Sequence, residues 1–417
     1  MPMSNSFREK LFRAIPEIVA TFGTPFHIYD GDGIIRNGWD MKQIFAHIHG
    51  FQEFFAVKAC PNLVIQSMLS GLGFGSDCSS IPELVMSKKA GVRAADRMFT
   101  SNNTSQQEFA ALDEYGGILN LDDVTMIPNV PRFPELICFR YNPGERRRGN
   151  ELIGNPVEAK YGVRDDQIVD AYRRARWRGA NRFGLHTMIC SNQCDYTYMV
   201  ETVRMLLEVV ERVSTELGIT LEFINVGGGI GIPYRPGQEQ FNLCAFAKES
   251  SGLLDQFRQK FGYVPKFFME CGRYVTGPFG VLVTKVINRM SKYREYVGVD
   301  ACMSSLMRPA MYDAYHHIEV VGGEGRPVEV VDVVGALCEN NDKFAKQRSL
   351  PKVSYGDILV IQDTGAHGYA MCFTYNGRLR PKELLFDTCG DVRLIRRAET
   401  LDDYLATQSY DPQVLHL

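Results

Sequence analysis

Short apolar segments alternate with amphipathic segments along most of this chain, and this alternation restricts its fold more than any other feature. Between about residues 50 and 275, eight segments have the apolar, β-branched composition of strands. They end near Lys58, Asp77, Ser101, Leu121, Tyr141, Met188, Gly227 and Glu270. Helical patterns such as TSQQEFAALDEYG and YMVETVRMLLEVVERVSTELG separate them. Eight strand–helix repeats predict an α/β fold, a parallel (β/α)8 barrel rather than an open sheet.

A second pattern begins after Gly277. Segments rich in Val, Ile and Tyr are separated there by Gly, Pro and Asp, as in VLVTKVINRM, EYVGVDAC, VEVVDVVGAL and DILVIQDTG. This composition is typical of an all-β domain, which the strand-like segment TPFHIYD could join. The chain of 417 residues is long enough for two domains. We assign residues 31–277 to the barrel, and residues 278–417 with the N-terminal segment 1–30 to the β-domain.

Composition and charge argue against several classes of protein. A net charge of -3 and a pI of about 6.3 give no electrostatic reason to bind nucleic acid or an anionic membrane. The N-terminal sequence lacks the apolar core of a signal peptide, and no apolar run approaches the length of a membrane span. The 11 cysteines are scattered and odd in number. We therefore expect reduced thiols and a cytoplasmic protein.

Unusual polar residues lie at the predicted strand ends, where the reactive groups of a (β/α)8 barrel gather. Lys58 closes the apolar run FFAVK, where a charged group should be costly unless it has a function. A buried lysine there could form a Schiff base with an aldehyde. A lysine that ends a strand is more often structural, so the other strand ends decide the interpretation. The polar run NPGERRRGNELIGNP is predicted to be a solvated loop.

Two further strand ends carry candidate groups. The seventh strand runs into Gly227, Gly228 and Gly229, whose backbone N–H groups could meet a phosphate, although a tight turn is the simpler interpretation. The eighth strand, KFFME, ends at Glu270. This carboxylate could bind a metal, act as a base or pair with a protonated pyridine nitrogen. An ion pair with Arg273 is its structural alternative.

Seven segments, taken in order, resemble the signature blocks of fold-type-III pyridoxal-phosphate decarboxylases. They are FFAVKACPN, FGSDCSSIPEL, NVGGGIGIPY, MECGRYVTGP, VDACMSSLMRPAMYDAYHHI, GALCENND and GAHGYAMCFTYNGRLRP. The match extends from about Thr24 to Tyr404 and is most similar to the diaminopimelate decarboxylase family. The resemblance implies an alanine-racemase-type barrel with a C-terminal β-domain, and pyridoxal 5'-phosphate as cofactor.

The resemblance also implies a role for each candidate residue. Lys58 would hold the cofactor as a Schiff base, Glu270 would pair with the pyridine nitrogen, and Cys338 would return a proton to the carbanion left by CO2. In the family this cysteine comes from the partner subunit, so a homodimer with shared active sites is implied. The other implied cofactor-binding residues lie around the phosphate or near Lys58. They are Gly227, Gly228, Gly229, Ser191 and Arg273 for the phosphate, and Asp77 and Glu83 near the lysine.

The implied substrate is meso-2,6-diaminopimelate, converted to L-lysine and CO2 in the last step of lysine biosynthesis. Arg308, Tyr312 and Glu339 resemble the groups that hold the distal carboxylate and amine of this substrate, and Arg273 is a further substrate-binding candidate. A guanidinium fork suits a carboxylate, and an opposed glutamate suits an ammonium group.

The chain departs from the family's motifs at two places. Met188-Ile189-Cys190-Ser191 stands where the family has His-Ile-Gly-Ser, whose histidine stacks on the cofactor ring. We expect His186, on the same side of the strand, or the sulfur of Met188 to contact the cofactor instead. Gly365-Ala366-His367 stands where the family has Gly-Ala-Tyr, and His367 can still donate a hydrogen bond near the phosphate. No metal site is expected, because the cysteines and histidines lack a metal-ligand spacing.

Three alternatives stay open. A related decarboxylase could act on ornithine, lysine or carboxynorspermidine, although Arg308 favours a substrate with a distal carboxylate. A racemase of this fold would place an arginine against the pyridine nitrogen, where Glu270 stands. A non-catalytic pyridoxal-phosphate carrier resembles the barrel alone and would need neither the second domain nor Cys338.

Overall fold

The computed structural model describes residues 3–150, 152–409, 411 and 413, which divide into two units. The first unit contains Asp32–Pro278 and Gly365–Ala370. The second contains Met3–Gly31, Phe279–Thr364 and the described residues from Met371 onward. The boundaries drawn from the sequence stay a prediction, and they did not anticipate that residues 365–370 belong with the barrel.

The described residues of the two units contain 18 strands, and within the first unit the strands alternate with helices, as the sequence pattern predicts. The strands are β1 (Phe26–Asp30), β2 (Gln52–Ala56), β3 (Gly75–Cys78), β4 (Arg97–Ser101), β5 (Ile118–Leu121), β6 (Leu136–Asn142), β7 (Val163–Arg164), β8 (Arg182–Thr187), β9 (Phe223–Asn225), β10 (Lys266–Met269), β11 (Gly280–Ser291), β12 (Glu295–Val299), β13 (Ile318–Val320), β14 (Val328–Val334), β15 (Lys343–Pro351), β16 (Ile358–Ile361), β17 (Lys382–Phe386) and β18 (Val392–Arg396).

The helices connect these strands. They are α1 (Asn5–Phe22), α2 (Gly31–Phe45), α3 (Leu63–Gly71), α4 (Ile81–Lys89), α5 (Gln106–Tyr115), α6 (Ile168–Trp177), α7 (Tyr196–Leu217), α8 (Leu243–Phe261), α9 (Arg273–Thr276), α10 (Arg308–Tyr312) and α11 (Leu401–Leu405). Short 3-10 helices cover Val57–Ala59, Ala94–Asp96, Val124–Asn129, Gly144–Arg146, Gly277–Phe279, Tyr369–Met371 and Tyr375–Gly377. No helix in the described part of the chain has both the length and the apolar character that a membrane crossing needs.

The first unit is a closed barrel of parallel strands. Its order is β5-β4-β3-β2-β10-β9-β8-β6, and the pairing of β5 with β6 closes the ring. The two-residue strand β7 adds to β6 at its end. Each of the eight predicted strands is present and ends within two residues of its predicted end. Strand β2, for example, ends at Ala56, and its predicted end is Lys58. The predicted (β/α)8 barrel is therefore confirmed.

Local sequence explains the barrel's helices and its filled interior. Helix α7 begins where the Asp195 side chain accepts the N–H of Thr197, and it ends at Gly218 in the left-handed conformation that glycine adopts readily. Inside the barrel the rings of Phe223 and Phe268 stack with centroids 4.5 Å apart. The two rings belong to a buried apolar cluster with Phe54, Met98 and Cys138.

The second unit is built around a mixed sheet of order β15-β14-β12-β11-β1-β17-β18, with β16 paired to β11 and to β13. Strand β1 runs antiparallel to β11 and parallel to β17, so the N-terminal segment completes this sheet. The buried face of α1, from Phe7 to Ile18, packs on the sheet residues Phe26 and Val281. The four predicted strand segments after Gly277 correspond to β11, β12, β14 and β16. The predicted β-domain is thus present.

Candidate active site

A cavity of about 500 Å³ opens at the carboxyl ends of the barrel strands. Its lining includes residues that follow or end β2, β3, β4, β6, β8, β9 and β10. Many of the residues predicted from the sequence meet here, namely Lys58, Asp77, His186, Ser191, Gly228, Gly229, Glu270, Arg273 and His367. All of them belong to the first unit. The strand-end argument therefore located one pocket correctly, although the roles of its residues stay predictions.

Lys58 lies just beyond the end of β2, in the one-turn helix Val57–Ala59. Its side chain is exposed and lines the cavity, so the expectation of a buried lysine is wrong. The reason is local: the strand ends at Ala56, and the following turn carries the side chain out of the apolar interior. An accessible amine at the mouth of a barrel is what a covalent contact with an aldehyde requires.

Two carboxyl groups predicted near Lys58 are close enough to sense its charge. Asp77 is buried in β3, and its Oδ1 has no hydrogen-bond partner within the described residues. Burial and then Glu270 raise the pKa of Asp77 well above its usual value, while Lys58 acts in the opposite direction. Glu83, in the first turn of α4, accepts the N–H of Ser79 at 2.6 Å, and burial raises its pKa. Ser79 itself lines the cavity.

Glu270 forms the floor of the cavity with two hydrogen-bond donors. Asn120 donates from Nδ2 to His186 Nδ1 at 2.9 Å, which leaves the ring proton on Nε2. His186 Nε2 then donates to Glu270 Oε2 at 3.1 Å, and Asn225 Nδ2 donates to Oε1 at 2.7 Å. Burial alone would raise the pKa of Glu270, but His186, Lys58 and Asn225 outweigh it and hold the pKa below its usual value. Glu270 is therefore an ionised carboxylate.

This network decides between the two interpretations of Glu270. The Glu270 carboxylate accepts hydrogen bonds from His186 and Asn225. Arg273 donates instead to Tyr234 and Ser191. The alternative of an ion pair between Glu270 and Arg273 is therefore wrong. Both ring nitrogens of His186 are hydrogen-bonded, so only the face of the ring could meet a cofactor. Sequence reasoning missed Asn120 and Asn225. The sequence feature that could have identified them is a single asparagine within each of the otherwise apolar strands ILNL and FIN.

The glycine turn after β9 can accept no side chain. Gly227 and Gly229 have φ of 71° and 93°, which glycine adopts without strain. A Cβ on Gly228 would lie 2.3 Å from the carbonyl oxygen of Glu270, and one on Gly229 would lie 2.5 Å from that of Cys190. A bare backbone at the rim of the cavity suits the close approach of a phosphate.

Three further residues border the cavity near this turn. Arg273 opens helix α9 and donates to the Tyr234 hydroxyl at 2.7 Å and to Ser191 Oγ at 3.5 Å. His367 has a positive φ of 57°, and its N–H donates to the carbonyl of Ala59, next to Lys58. Met188 also lines the cavity. The two positions that depart from the family's motifs, Met188 and His367, thus both face this pocket.

The loop after β6 is exposed at Arg146 and Arg148, and other parts of the protein pair with its arginines. Arg146 forms ion pairs with two carboxylates outside the loop. Arg147 donates to the carbonyl of Tyr198 and stacks on its ring at 4.2 Å from the centroid. The prediction of a solvated loop face therefore holds for Arg146, which is 42% exposed, whereas Arg147 is half-buried because helix α7 supplies its partner. Leu152 and Ile153 of the same loop line the cavity.

Arg308 and Tyr312 bound helix α10 of the second unit. Arg308 is buried, and its Nη1 donates to His316 Nε2 at 3.1 Å. His316 can accept this bond because its Nδ1 faces the carbonyl oxygen of Gln362 at 2.7 Å and so carries the ring proton. Tyr312 is exposed. The substrate-binding roles of both residues stay predictions.

Cys338 and Glu339 follow strand β14 in the second unit. The Cys338 thiol is exposed, and its backbone N–H donates to Asn376 Oδ1 at 2.8 Å. Glu339 Oε1 accepts the N–H of Asn341 at 3.0 Å. The predicted site residues are thus divided between the two units.

The barrel, its strand-end lysine and the carboxylate floor define a barrel enzyme of the pyridoxal-phosphate class. Residues 32–277 match the family model described as "Pyridoxal-dependent decarboxylase, pyridoxal binding domain". The chain belongs to the family of pyridoxal-phosphate-dependent decarboxylases that includes the diaminopimelate decarboxylases. The predicted family, cofactor and enzyme class are confirmed.

The similar proteins align with nearly the whole length of this chain. "Protein TabA" of Pseudomonas amygdali pv. tabaci is 46% identical over 413 residues, which are 99% of this chain and 97% of that protein. The diaminopimelate decarboxylase of Methanothermobacter thermautotrophicus is 33% identical and covers 96% of this chain and 95% of its own. A crystal structure of diaminopimelate decarboxylase from M. jannaschii superimposes with a TM-score of 0.88 at 29% identity, over 96% of this chain and 95% of that one.

The residues of this chain fit pyridoxal phosphate. Lys58 offers an accessible amine to the aldehyde, and the ionised Glu270 offers a partner to the pyridine nitrogen. The glycine turn provides a backbone cradle for the phosphate, and the buried, unpartnered Oδ1 of Asp77 can accept a hydrogen bond. Each end of the cofactor thus has a candidate contact in one cavity.

Proposed function

We propose that the enzyme decarboxylates meso-2,6-diaminopimelate to L-lysine and CO2. The observation that carries the proposal is that the second unit bears two residues of opposite charge, Arg308 and Glu339, which match the carboxylate and ammonium groups at the distal end of this substrate. Relatives named diaminopimelate decarboxylase support it, at 31–33% identity over more than nine-tenths of the chain. A solved relative from Helicobacter pylori, 29% identical with a TM-score of 0.86, is complexed with L-lysine.

Each residue then has a chemical role. Bound pyridoxal phosphate supplies an electron sink for the pair of electrons that CO2 leaves behind. Lys58 anchors the cofactor through its Nζ, and the Glu270 carboxylate, held by His186 and Asn225, keeps a proton on the pyridine nitrogen. The glycine turn, Ser191, Arg273 and His367 would hold the phosphate.

The second unit completes the proposed reaction. The exposed Sγ of Cys338 delivers a proton to the substrate's α-carbon after CO2 leaves. The guanidinium of Arg308 orients the distal carboxylate, with Tyr312 beside it, and Glu339 binds the distal ammonium group. We also propose that the enzyme works in the cytoplasm as a homodimer, in which Cys338 serves the pocket of the partner subunit.

A substrate panel tests the proposed reaction. The enzyme is incubated with meso-diaminopimelate, LL-diaminopimelate, L-ornithine and L-lysine while CO2 release and the amine product are followed. We expect turnover of meso-diaminopimelate with L-lysine as product, and at most slow turnover of ornithine and lysine, which have no distal carboxylate for Arg308. Equal kcat/KM for ornithine would favour the alternative, a decarboxylase of another basic amino acid.

Subunit mixing tests the shared site. Lys58→Ala and Cys338→Ala proteins, each inactive alone, are mixed under conditions that allow subunit exchange. Random exchange makes half of the dimers mixed, and one of the two sites in each mixed dimer is intact, so activity should recover to about 0.5 × 0.5, one quarter of wild type.

The control pairs Lys58→Ala with the double variant Lys58→Ala/Cys338→Ala, which cannot form an intact site in any dimer and should stay inactive. If exchange is demonstrated with tagged subunits and no activity returns, then Lys58 and Cys338 act within one subunit and the shared site is wrong.

A further inference from the structure

A second glutamate lies buried beside Glu270, and the reaction proposed above does not use it. Glu53, in the middle of the barrel's sheet on β2, is 1% exposed. Its Oε1 accepts the backbone N–H of Cys271. Its Oε2 is also buried and has no hydrogen-bond partner within the described residues. A buried carboxyl group held at one oxygen alone costs free energy, so it calls for a function.

The surroundings of Glu53 favour its neutral form. Burial raises its pKa well above the usual value, and the negative charge of Glu270 raises it further, while the hydrogen bonds from Cys271 oppose them. Glu270 accepts hydrogen bonds from His186 and Asn225 and is ionised, whereas Glu53, within the described part of the chain, accepts them from Cys271 alone, through its backbone N–H and its thiol. Two neighbouring carboxylates in a barrel interior do not both ionise readily, and a thiol is a weak donor to the charged form, so the proton favours Glu53.

The Cys271 N–H that Glu53 binds lies just beyond the end of the pairing between β2 and β10. Strands β2 and β10 pair as far as Met269, which lies opposite Glu53, and the chain then leaves the sheet towards α9. The Cys271 N–H belongs to the peptide that joins it to Glu270, so Glu53 holds that peptide where the strand ladder has ended. The turn is tightly packed, because a Cβ on Gly272 would lie 2.5 Å from that of Ala59, next to Lys58.

We propose that Glu53 is a positioning residue whose buried carboxyl group, through its hydrogen bond from the Cys271 N–H, fixes the Glu270–Cys271 peptide and thereby the Glu270 carboxylate at the floor of the cavity. The inference rests on the proposed role of Glu270. The two acids then have different roles, because Glu270 carries the charge and Glu53 accepts a backbone N–H without adding a second charge. A neutral amide could do the same work, and an apolar side chain of equal length could not.

Two substitutions of similar length test this distinction. Glu53→Gln keeps an acceptor for the Cys271 N–H, so it should retain wild-type cofactor affinity and visible spectrum. Glu53→Met leaves that N–H buried without a partner and should weaken binding of pyridoxal phosphate to the cofactor-free protein by about 10- to 100-fold. It should also change the visible absorbance of the bound cofactor. The measurements are an absorbance titration with pyridoxal phosphate and the spectrum at saturation.

Controls separate positioning from loss of stability and from an error about Glu270. Phe54→Leu loosens the neighbouring position of the same strand, where the ring packs against Phe268, and keeps the Glu53 carboxyl group, so it should lower thermal stability yet keep cofactor affinity and spectrum. Glu270→Gln is titrated in parallel. If Glu270→Gln keeps wild-type cofactor affinity and spectrum, the proposed role of Glu270 is wrong. If Glu270→Gln changes them and Glu53→Met does not, only the Glu53 proposal is wrong.

An infrared measurement decides the matter if Glu53→Met does not fold. Wild type should show the carbonyl band of a protonated, buried carboxylic acid that Glu53→Gln lacks. Identical spectra of the two proteins in this region would mean that Glu53 is ionised, and the proposal would be wrong.

Discussion

Replacing Lys58 by alanine should lower the rate of decarboxylation by about 100-fold or more, since a positioned acid–base or nucleophilic group contributes at least this much. Lys58 lines the cavity, and its positive charge acts to lower the pKa of the carboxyl groups of Asp77 and Glu270. The wild-type enzyme should show the visible absorbance of the bound cofactor, and borohydride should fix the cofactor onto the peptide that contains Lys58. Peptide mapping by mass spectrometry identifies the labelled lysine.

Lys89→Ala is the matched control, because this lysine lies exposed in the last turn of α4, outside the residues that line the cavity. It should keep wild-type turnover and the wild-type label. Label on any lysine other than Lys58 would end the assignment, even if Lys58→Ala were inactive for another reason such as misfolding.

The barrel could be predicted because its signals are local. A strand that ends near Ser101 or Leu121 is marked by a few adjacent β-branched and apolar residues, and the structure ends β4 and β5 at those residues. The floor of the site could not be predicted in this way. Asn120, His186 and Asn225 lie in three different strands and Glu270 follows a fourth, and only closure of the barrel brings their polar atoms within hydrogen-bond distance.

Two other features depended on contacts that local patterns do not contain. Arg147 lies in a polar run that has the composition of a solvated loop, yet its partner Tyr198 is supplied by a helix about 50 residues later. His367 belongs to the short segment 365–370, which lies in sequence between two stretches of the second unit. Its N–H nevertheless donates to the carbonyl of Ala59 in the barrel unit. The family motif predicted a cofactor-pocket position for His367, which lines the cavity, where periodicity could not, because the motif records a long-range contact.

Arg308→Met should lower kcat/KM for meso-diaminopimelate by roughly 30-fold to several-thousand-fold, if Arg308 holds the distal carboxylate. Loss of a charge-assisted, bidentate contact in a desolvated site costs about 2–5 kcal/mol. At about 1.4 kcal/mol per tenfold change in rate, this range of free energy gives the expected loss. The visible spectrum of the bound cofactor should stay unchanged, because the candidate cofactor contacts lie in the barrel unit.

Two further variants make the result specific to the guanidinium. Arg308→Lys keeps the charge but loses the planar fork, so it should fall between wild type and Arg308→Met. Arg348→Met is the matched control: Arg348 donates to the carbonyl of His316, the residue whose ring accepts from Arg308, and it has no proposed role in substrate binding. A loss of activity caused by distortion around His316 would therefore appear in both methionine variants. Near-normal kcat/KM in Arg308→Met would refute the distal-carboxylate role, and equal losses in Arg308→Met and Arg348→Met would assign the effect to packing. The pyridoxal-phosphate decarboxylase assignment would survive either result, because it depends on the barrel and its family match rather than on Arg308.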